Sequence, residues 1–517
     1  MRIGVDVGGT NTDAVLLAGK KVLGAVKRPT SKDVSTGISE AIGALIAQCD
    51  VKPDEITAVM IGTTHFTNAF IQRRELVPVY AVRIGFPAGR GIPPFSSWPE
   101  DLKAVVCGGS AMVPGGFEFD GRQISAFDEA SIAEVVADAR AKGINQIAVS
   151  CIFSQLNPEH ENRAAALIAE QAPDIEVSLS SELGRVGLLE RENAAIMNAS
   201  LRPLAAMITT AFVRALSDLG ITAPFYISQN DGTLMSAEHM QRYPVLTFAA
   251  GPTNSLRGAA WLTGASDAIV VDIGGTTSDV GVLMGSFPRQ STVHVDVGGV
   301  RTNFRMPDIL SIGLGGGSRV VETAEGITVG PDSVGFRLLT EGLIFGGSTL
   351  TASDIAVASG HAEFGDSARV ADLPPDLVSG ARNAIAGLID DAIDRMKTAP
   401  GDIPMILVGG GSVLVSETPN GVSEMLRPEH ADVANAIGAA IGQVSGEVDR
   451  IYTIPDPEAR AAAIADAEQQ AKAQAVSAGA DPDSVEVVNV EAVPLQYLPG
   501  GATRVVCRVV GDLALAE

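Results

Sequence analysis

Two short segments of the chain carry the same pattern of carboxylate, glycine and hydroxyl residues. Residues 3–17 read IGVDVGGTNTDAVLL, and residues 269–283 read IVVDIGGTTSDVGVL. Aligned without gaps, Asp6 matches Asp272, and the second aspartate of each segment matches as well. In both segments two apolar runs flank a Gly-Gly pair, which predicts a strand, a tight turn and a second strand. The spacing of 266 residues indicates two related domains, since solenoid repeats recur over far shorter periods.

The turn of each predicted hairpin is suited to hold a phosphate group. Glycine lets backbone N–H groups approach an anion closely, and hydroxyl or amide side chains beside it add further donors. We therefore predict that the turns bind a nucleotide through Gly8, Gly9, Thr10, Asn11, Gly274, Gly275, Thr276 and Thr277. Carboxylates beside a phosphate require a cation, and Mg²⁺ is usually held by one or two of them. We predict that Asp6, Asp272 and Asp279 hold Mg²⁺, and that Asp6 and Asp272 also act in catalysis.

A third glycine-rich turn lies further along the chain. Residues 403–415 read IPMILVGGGSVLV, an apolar strand that ends in three glycines. Two phosphate hairpins followed by such a turn resemble the sugar kinases, actin and the chaperone ATPases. The resemblance implies that the nucleotide is ATP and that its adenosine lies against Gly409, Gly410, Gly411 and Ser412.

Alternating strands and helices must position these turns. Residues 56–61 and 146–152 read as buried strands, and residues 129–142 read as an amphipathic helix. A longer helical stretch, 186–219, is predicted to be interrupted at Pro203. The alternation predicts an α/β fold. The resemblance adds two duplicated ribonuclease H-like domains, of the actin-like ATPase type, with a nucleotide cleft between them.

We predict three segments along the chain. They are an N-terminal domain with the first hairpin at 1–185, an ATPase domain with the second hairpin and the third turn at 186–454, and a C-terminal α/β extension at 455–517. The extension reads as an Ala-rich helix followed by strands at 485–492 and 503–510.

Composition excludes several classes of partner. The net charge is −24 and aromatic residues make up only 4%, which argues against nucleic acid and anionic membrane surfaces. No apolar run approaches the roughly 18–20 residues of a membrane span, and we see no leader peptide. The four cysteines are far apart in sequence and form no CxxC motif, so we expect free thiols in a reducing cytoplasm.

Finer motifs resemble the hydantoinase A/5-oxoprolinase family, over most of residues 1–415. The motifs are GTTHFTNAFIQRR (62–74), NASLRP (198–203), SQNDGTLMSAEHMQRYPVLTFAAGPTNS (228–255) and SIGLGGGS (311–318). The family couples ATP hydrolysis to the opening of cyclic amides, or to ketone carboxylation in its acetone carboxylase branch. The resemblance implies that a carbonyl or enolate oxygen is phosphorylated, which makes a poor electrophile or leaving group a good one.

Weaker candidates lie within these motifs. His65 follows a predicted strand end, where ligand sites gather in α/β sheets, and we include it with Asn198 among the catalytic residues. Asn68 is a second amide that could hydrogen-bond a lactam or imide. Where the family often reads SGPAGG, this chain has AAGPTNS, so Asn254 and Ser255 stand in place of small residues. His160, His239, His361 and His430 lie in polar contexts that favour the surface.

The leading prediction is an ATP-dependent amidohydrolase that opens a cyclic amide or imide through a phosphorylated carbonyl, as an ATP-binding subunit. The resemblance implies a possible second catalytic subunit, and we expect an oligomer. One alternative is an ATP-dependent ketone carboxylase subunit. A sugar or small-molecule kinase and a regulatory or chaperone-like ATPase also fit the hairpins.

Overall fold

The structure is a computed structural model that describes residues 1–8, 11–30, 34–292, 294–324, 326–496 and 501–514. Its strands are β1 (Arg2–Val7), β2 (Asn11–Ala18), β3 (Lys21–Pro29), β4 (Ala58–Thr63), β5 (Val79–Phe86), β6 (Cys107–Pro114), β7 (Gln146–Cys151), β8 (Glu176–Leu179), β9 (Phe225–Ser228), β10 (Thr233–Ser236), β11 (Ala268–Ile273), β12 (Ser278–Met284), β13 (Phe287–Pro288), β14 (Val295–Val297), β15 (Val300–Thr302), β16 (Ile309–Ile312), β17 (Ser318–Thr323), β18 (Gly326–Ser333), β19 (Ile403–Val408), β20 (Val422–Leu426), β21 (Gln443–Thr453), β22 (Glu486–Pro494) and β23 (Ala502–Gly511). Its helices are α1 (Val34–Cys49), α2 (His65–Gln72), α3 (Glu100–Val106), α4 (Glu129–Ala141), α5 (Glu159–Gln171), α6 (Leu188–Asp218), α7 (Ala237–Arg242), α8 (Ala250–Thr263), α9 (Leu338–Glu341), α10 (Ala352–Ala358), α11 (Pro375–Met396), α12 (Ala434–Ala440) and α13 (Pro457–Ser477).

Two sheets share one arrangement around their hairpins. The first has the order β22-β23-β21-β10-β9-β4-β1-β2-β3, and the second has the order β13-β12-β11-β19-β20 with β16 beside β12. In both, the first hairpin strand pairs antiparallel with the second and parallel with a later strand, which is β4 in one sheet and β19 in the other. The α/β fold and its duplication are therefore confirmed.

A third sheet has the order β6-β5-β7-β8, and all of its pairs are parallel. It lies between β4 and β9 in sequence and has its own apolar core with α4 and α5. Helix α6 follows this sheet and packs on β7 and on α1.

Helices α8 and α12 cross between the two hairpin sheets in backbone contact. A Cβ on Gly258 of α8 would lie 1.9 Å from the carbonyl oxygen of Ala434, and one on Gly438 of α12 would lie 1.8 Å from that of Asn254. Helix α12 also lies against β1, where a Cβ on Gly4 would meet the Ala436 carbonyl oxygen at 2.1 Å. Glycine at these positions lets the helices approach more closely than side chains allow.

The predicted strands at 56–61 and 146–152 correspond to β4 and β7, and the predicted helix at 129–142 corresponds to α4. The predicted interruption at Pro203 is wrong, because α6 runs through it as one helix. Proline removes one backbone donor, but the surrounding residues of α6 are mostly buried, and that packing offsets the loss. The segment boundaries stay predictions, although β22 and β23 of the C-terminal segment extend the first hairpin sheet through β21.

Among the described helices, α6 is the one that by length and composition could cross a membrane, with a mean hydropathy of 1.3 in its most apolar window. In that window 61% of the helix is buried inside the fold, as for a core helix.

Candidate nucleotide-binding site

The carboxylates of each hairpin face one another across its two strands. In β1–β2 the register pairs Asp6 with Asp13, and in β11–β12 it pairs Asp272 with Asp279. The turns close in the same way, since Gly8 N–H donates to the Asn11 carbonyl at 3.0 Å and its counterpart in the second hairpin spans 2.9 Å. The duplicated sequence therefore produces duplicated carboxylate pairs.

The first pair is buried, with Asp6 4% and Asp13 3% exposed. Asn435 at the start of α12 donates from Nδ2 to Oδ2 of both carboxylates, at 3.0 Å each. Lys27 of β3 donates from Nζ to Oδ2 of Asp13 at 3.0 Å. A cation and an amide thus compensate two like charges held close together.

One oxygen of Asp6 lacks a well-formed hydrogen bond within the described residues. Its Oδ1 and the Nδ2 of Asn254 are buried, and neither makes a well-formed hydrogen bond within the described structure. A Cβ on Gly62 would come within 2.5 Å of the first atom and 2.4 Å of the second, so only glycine leaves room there. The Asn254 amide is therefore the nearest donor to this oxygen, although their contact is not a bond of good geometry.

The pKa of Asp6 reflects its burial and the charges around it. Its pKa is raised from an ordinary 3.8 to about 7, first by burial and then by the negative charge of Asp13, with a smaller contribution from Asp272. The amides of Asn435 and Asn254 act in the opposite sense because they favour the charged form.

The second pair lies near enough to the first for the four charges to interact. Burial raises the pKa of Asp272, while Ser255 as hydrogen-bond donor and the charge of Lys27 lower it. The pKa of Asp279 is raised to about 6, first by burial and also by Asp272, although Ser311 donates to its Oδ1. Lys27 therefore acts on carboxylates of both hairpins.

The turn of the second hairpin is exposed at Gly275, Thr276 and Thr277. Behind it lies the glycine run after β16, where the Gly316 and Gly317 N–H groups donate to the Gly274 and Gly275 carbonyls at 3.0 and 2.7 Å. These bonds hold the carbonyl oxygens of the turn against the glycine run, while the turn itself is exposed.

The third glycine turn lies directly against the second hairpin. Gly411 N–H donates to the Ile273 carbonyl at 2.8 Å. Gly409 has a φ of +85°, and a Cβ there would lie 2.3 Å from Oδ1 of Asp272. Gly410 faces open space, with nothing within 4 Å of such a Cβ, and Ser412 follows at the start of a short 3₁₀ turn. The turn and the hairpin thus form one surface.

The other predicted site residues lie in two places, at the start of α2 and within α6. His65 begins α2 directly after β4, with Nδ1 2.6 Å from the Thr63 hydroxyl, and burial lowers its pKa. Asn68 donates to the Thr64 hydroxyl at 3.3 Å, one turn further along. Asn198 is fully buried in α6, and its Nδ2 donates to the Ser178 hydroxyl and the Arg242 carbonyl. A catalytic role for His65 or Asn198 stays a prediction, and the amide donors of Asn198 already serve the fold.

Two of the predicted binding residues, Gly9 and Thr10, lie outside the described residues. The surface position expected for His160 is wrong, because its ring is 3% exposed and stacks between Phe117 and Phe127 while Nδ1 accepts from Gly116 N–H.

The predicted Mg²⁺ ligands fit that ion by their chemistry. Within the described ranges no group of three or more His, Cys, Asp or Glu side chains is placed to hold a metal by itself. Mg²⁺ keeps several waters and needs only one or two protein carboxylates, and Oδ1 of Asp6, which lacks a well-formed hydrogen bond in the described ranges, is one such oxygen. A Mg²⁺ role for Asp6, Asp272 and Asp279 stays a prediction.

Sequence reasoning missed several residues of the site. Asn435 and Lys27 lie in segments without a glycine turn, so only the fold brings them to the carboxylates. The SIGLGGGS motif, by contrast, contains Ser311 and the glycines behind the second turn. The density of glycine in this motif is the sequence feature that could have indicated its place in the site.

Comparison with known proteins identifies similar chains. Residues 2–172 match the family model described as hydantoinase/oxoprolinase N-terminal region, and residues 191–364 match the one described as hydantoinase/oxoprolinase. Together the two matches span most of the chain.

Curated relatives include subunits of larger enzymes. Caprolactamase subunit alpha of Pseudomonas jessenii is 25% identical over 70% of this chain and 54% of the relative. Acetophenone carboxylase gamma subunit of Aromatoleum aromaticum is 26% identical over 69% of this chain and 53% of the relative. 5-Oxoprolinase 1 of Arabidopsis thaliana is 26% identical over 65% of this chain and 29% of the relative. The chain spans about half the length of the first two relatives.

Solved structures share the fold over nearly the whole chain. The ATP-dependent caprolactamase from Pseudomonas jessenii superposes with a TM-score of 0.80 at 19% identity, covering 99% of this chain and 88% of its own. Nucleotide-free acetone carboxylase superposes with a TM-score of 0.69 at 17% identity, covering 100% and 88%.

Proposed function

The chain belongs to the hydantoinase/oxoprolinase family, and on that premise we propose that it is the ATP-binding part of an ATP-dependent amidohydrolase that opens a cyclic amide or imide. The observation that carries the proposal is the pairing of Asp6 with Asp13 and Asp272 with Asp279 at matching positions of two hairpins, with a third glycine turn against the second. This arrangement supports a nucleotide held between two phosphate-binding turns.

The residues around the turns suit phosphoryl transfer. The exposed turn at Gly275 and Thr276 would bind phosphate oxygens through backbone N–H groups, and Gly409 to Ser412 would lie against the adenosine. Mg²⁺, held by Asp6 or Asp272 through oxygen, would neutralise phosphate charge when bound. Oδ1 of Asp6, which lacks a well-formed hydrogen bond within the described residues, supports that role.

The proposed reaction phosphorylates the ring amide and then opens the ring. The amide oxygen of the ring takes the γ-phosphoryl group, and ADP leaves. Water then adds to the activated carbon, the ring C–N bond breaks, and further hydrolysis releases phosphate and the ring-opened amino acid. The chain's part is to position the reactants and to stabilise developing negative charge.

The test is ATP turnover by the purified full chain against a panel of hydantoins, lactams and imides, with the cognate second subunit added in a parallel series. We expect at least one ring compound to raise ATP hydrolysis and to be opened in proportion. ATP hydrolysis that no ring compound raises, in either series, would contradict the proposal.

A second candidate is the ATP-binding subunit of a ketone carboxylase. It is favoured by the acetophenone carboxylase subunit, which is as similar to this chain as the caprolactamase subunit is. The two candidates differ in one requirement, because only carboxylation consumes bicarbonate. ATP turnover that depends on a ketone and on bicarbonate together would favour this candidate over ring opening.

We also propose that the chain works with a second catalytic subunit in the cytoplasm. The support is that the caprolactamase and acetophenone carboxylase relatives are themselves named as subunits. Co-purification with the product of an adjacent gene would test the partner.

A further inference from the structure

Each carboxylate pair has a third residue beside it in its own sheet. In the first sheet the register places Asp13 of β2 opposite Lys27 of β3, so Asp6, Asp13 and Lys27 stand in one row across three strands. Residues that stand directly opposite one another in antiparallel strands have their side chains on the same face of the sheet. The first row therefore combines two carboxylates with one cation.

The second sheet has a corresponding row with a different third residue. There Asp279 of β12 stands opposite Ser311 of β16, so the row is Asp272, Asp279 and Ser311. Strand β3 follows β2 directly, whereas three short strands separate β16 from β12 in the sequence. The repeat therefore ends at the second strand of each hairpin. Beyond it, the first row has a cation where the second row has a hydroxyl group.

The ammonium group of Lys27 has donors that the fold does not use. Its Nζ donates to Oδ2 of Asp13 at 3.0 Å and lies 2.9 Å from Oδ1 of the same carboxylate. An ammonium group carries three N–H donors, and Lys27 makes no other side-chain hydrogen bond among the described residues. The side chain of Lys27 is 36% exposed, against 4% for Asp13. A ligand can therefore reach the cation although its carboxylate partner is buried.

Lys27 lies close to both hairpins. Burial raises the pKa of Asp272, and the charge of Lys27 is one of the influences that lower it. Two residues of strand, roughly 7 Å, separate Asp6 from Gly8 at the first turn, and the same spacing separates Asp272 from Gly274 at the second. Lys27 is therefore a cation beside both carboxylate pairs, a short distance from both turns.

The end of β3 is fixed against the first turn. The Thr30 hydroxyl, three residues after Lys27, donates to the Gly8 carbonyl at 2.8 Å and lies 3.4 Å from the Thr12 hydroxyl. Asp13 holds the ammonium group at the other end of the lysine side chain. Both the strand and the side chain are thus ordered before any ligand binds, which lowers the entropy lost on binding.

We propose that Lys27 is a catalytic residue that contacts the γ-phosphoryl group of ATP and stabilises its negative charge during transfer. The inference rests on the proposed function for the identity of the ligand. In the transfer, the bond from the γ-phosphorus to the oxygen of ADP breaks, and a bond from the same phosphorus to the ring amide oxygen forms. Lys27 keeps its proton and forms no covalent bond. Its remaining N–H groups donate to the equatorial oxygens, where the charge of the transition state lies.

The ratio of two affinities separates this role from simple compensation of Asp13. A lysine that only balanced the carboxylates would act alike on ATP and ADP, because the two ligands differ by the γ-phosphoryl group alone. A lysine that contacts this group favours the triphosphate. Isothermal titration of the full chain in MgCl₂, with a non-hydrolysable ATP analogue and with ADP, measures both affinities without turnover.

We expect Lys27→Met to weaken binding of the ATP analogue about tenfold or more, which is the low end for a charge-assisted hydrogen bond, and binding of ADP by less than about threefold. Lys27→Arg keeps the charge and should retain most of the preference for the triphosphate. The matched control is Lys21→Met, the same substitution at the exposed start of β3, which should leave both affinities unchanged.

A double variant addresses any loss of stability in Lys27→Met. Combining Lys27→Met with Asp13→Asn removes both partners of the ion pair, which relieves the unbalanced carboxylate but cannot restore a contact to phosphate. We expect the double variant to show the same reduced preference for the ATP analogue over ADP. Recovery of the wild-type preference in it, or equal losses for both ligands in Lys27→Met, would overturn the assignment.

The same titrations distinguish this inference from the proposed function. A wild-type chain that binds neither nucleotide would overturn both. The expected change in preference, together with no ring compound that is opened, would support the assignment of Lys27 and contradict ring opening alone.

Discussion

Nδ2 of Asn435 lies 3.0 Å from Oδ2 of Asp6, although 429 residues of chain separate the two. The contact connects α12, which crosses between the two hairpin sheets, to the carboxylate pair of the first hairpin. Asn435→Ala removes the amide from both carboxylates, and we expect the free energy of unfolding at pH 8 to fall by about 2 kcal/mol, the usual cost of a lost bond to a charged group. Denaturant unfolding measures this. Asn420→Ala is the control, because Asn420 makes a similar bond to Asp390 at an exposed site.

The raised pKa of Asp6 predicts a pH dependence of stability. Because the folded pKa is about 7 and the ordinary value is 3.8, the folded state binds the proton more tightly, and stability falls as pH rises between these values. The shift corresponds to a loss on the order of 4 kcal/mol. We expect ligand-free Asp6→Asn to melt above the wild type at pH 8 and by a clearly smaller margin at pH 5. Equal melting temperatures at pH 8 would show that Asp6 is not strained by its charge.

Gly409→Ala should abolish tight nucleotide binding. The position has a φ of +85°, and the new Cβ would lie 2.3 Å from Oδ1 of Asp272, so either the turn or the carboxylate must move. Gly410→Ala is the matched control, because its Cβ meets nothing within 4 Å. Fluorescence titration with a labelled ATP analogue compares the two, and similar loss in both variants would contradict the stated cause.

Gly438→Ala should destabilise the fold by about 3 kcal/mol, as overpacking does in close contacts. Its Cβ would lie 1.8 Å from the Asn254 carbonyl and would force α8 and α12 apart. Gly387→Ala in α11 meets nothing within 4 Å and should instead stabilise by about 0.5–1 kcal/mol through helix propensity. Opposite signs in denaturant unfolding would confirm that the helix contact, rather than the loss of glycine, is responsible.

Asp272→Asn tests the proposed Mg²⁺ role. We expect ATP turnover to fall at least about a hundredfold, since carboxylate and metal act together on the phosphates. Titration of MgCl₂ at fixed ATP separates metal binding from chemistry, with Asp267→Asn at the exposed start of the same strand region as control. Turnover equal to the wild type would remove Asp272 from the metal site.

The duplicated hairpins and their carboxylate pairs could be predicted because strand alternation fixes which residues of a hairpin stand opposite. Asp6 and Asp13 obey this rule, and so do Asp272 and Asp279. The third glycine turn could also be predicted, because an apolar strand followed by three glycines is a local pattern. Asn435 could not be predicted from pattern, since its contact depends on how α12 packs over β1.

Asn254 and Ser255 show where a sequence interpretation was incomplete. The sequence places them where the family motif often has small residues, and predicts no contact for either. In the structure Asn254 lies beside Asp6 and Ser255 acts on Asp272, so both belong to the carboxylate pairs. Neither contact follows from helix periodicity alone, because it requires the relative placement of two sheets.

These two neighbours on α8 have a consequence for the duplication. Successive residues of a helix point about 100° apart, so one helix turn reaches one hairpin with Asn254 and the other with Ser255. Both hairpins therefore contact this one helix, whose apolar side packs on the sheet of the second hairpin. A substitution can alter one copy alone, but a one-residue insertion before Asn254 would rotate both contacts away together. The contacts to both hairpins therefore depend on the register of α8 more than on the identity of either side chain.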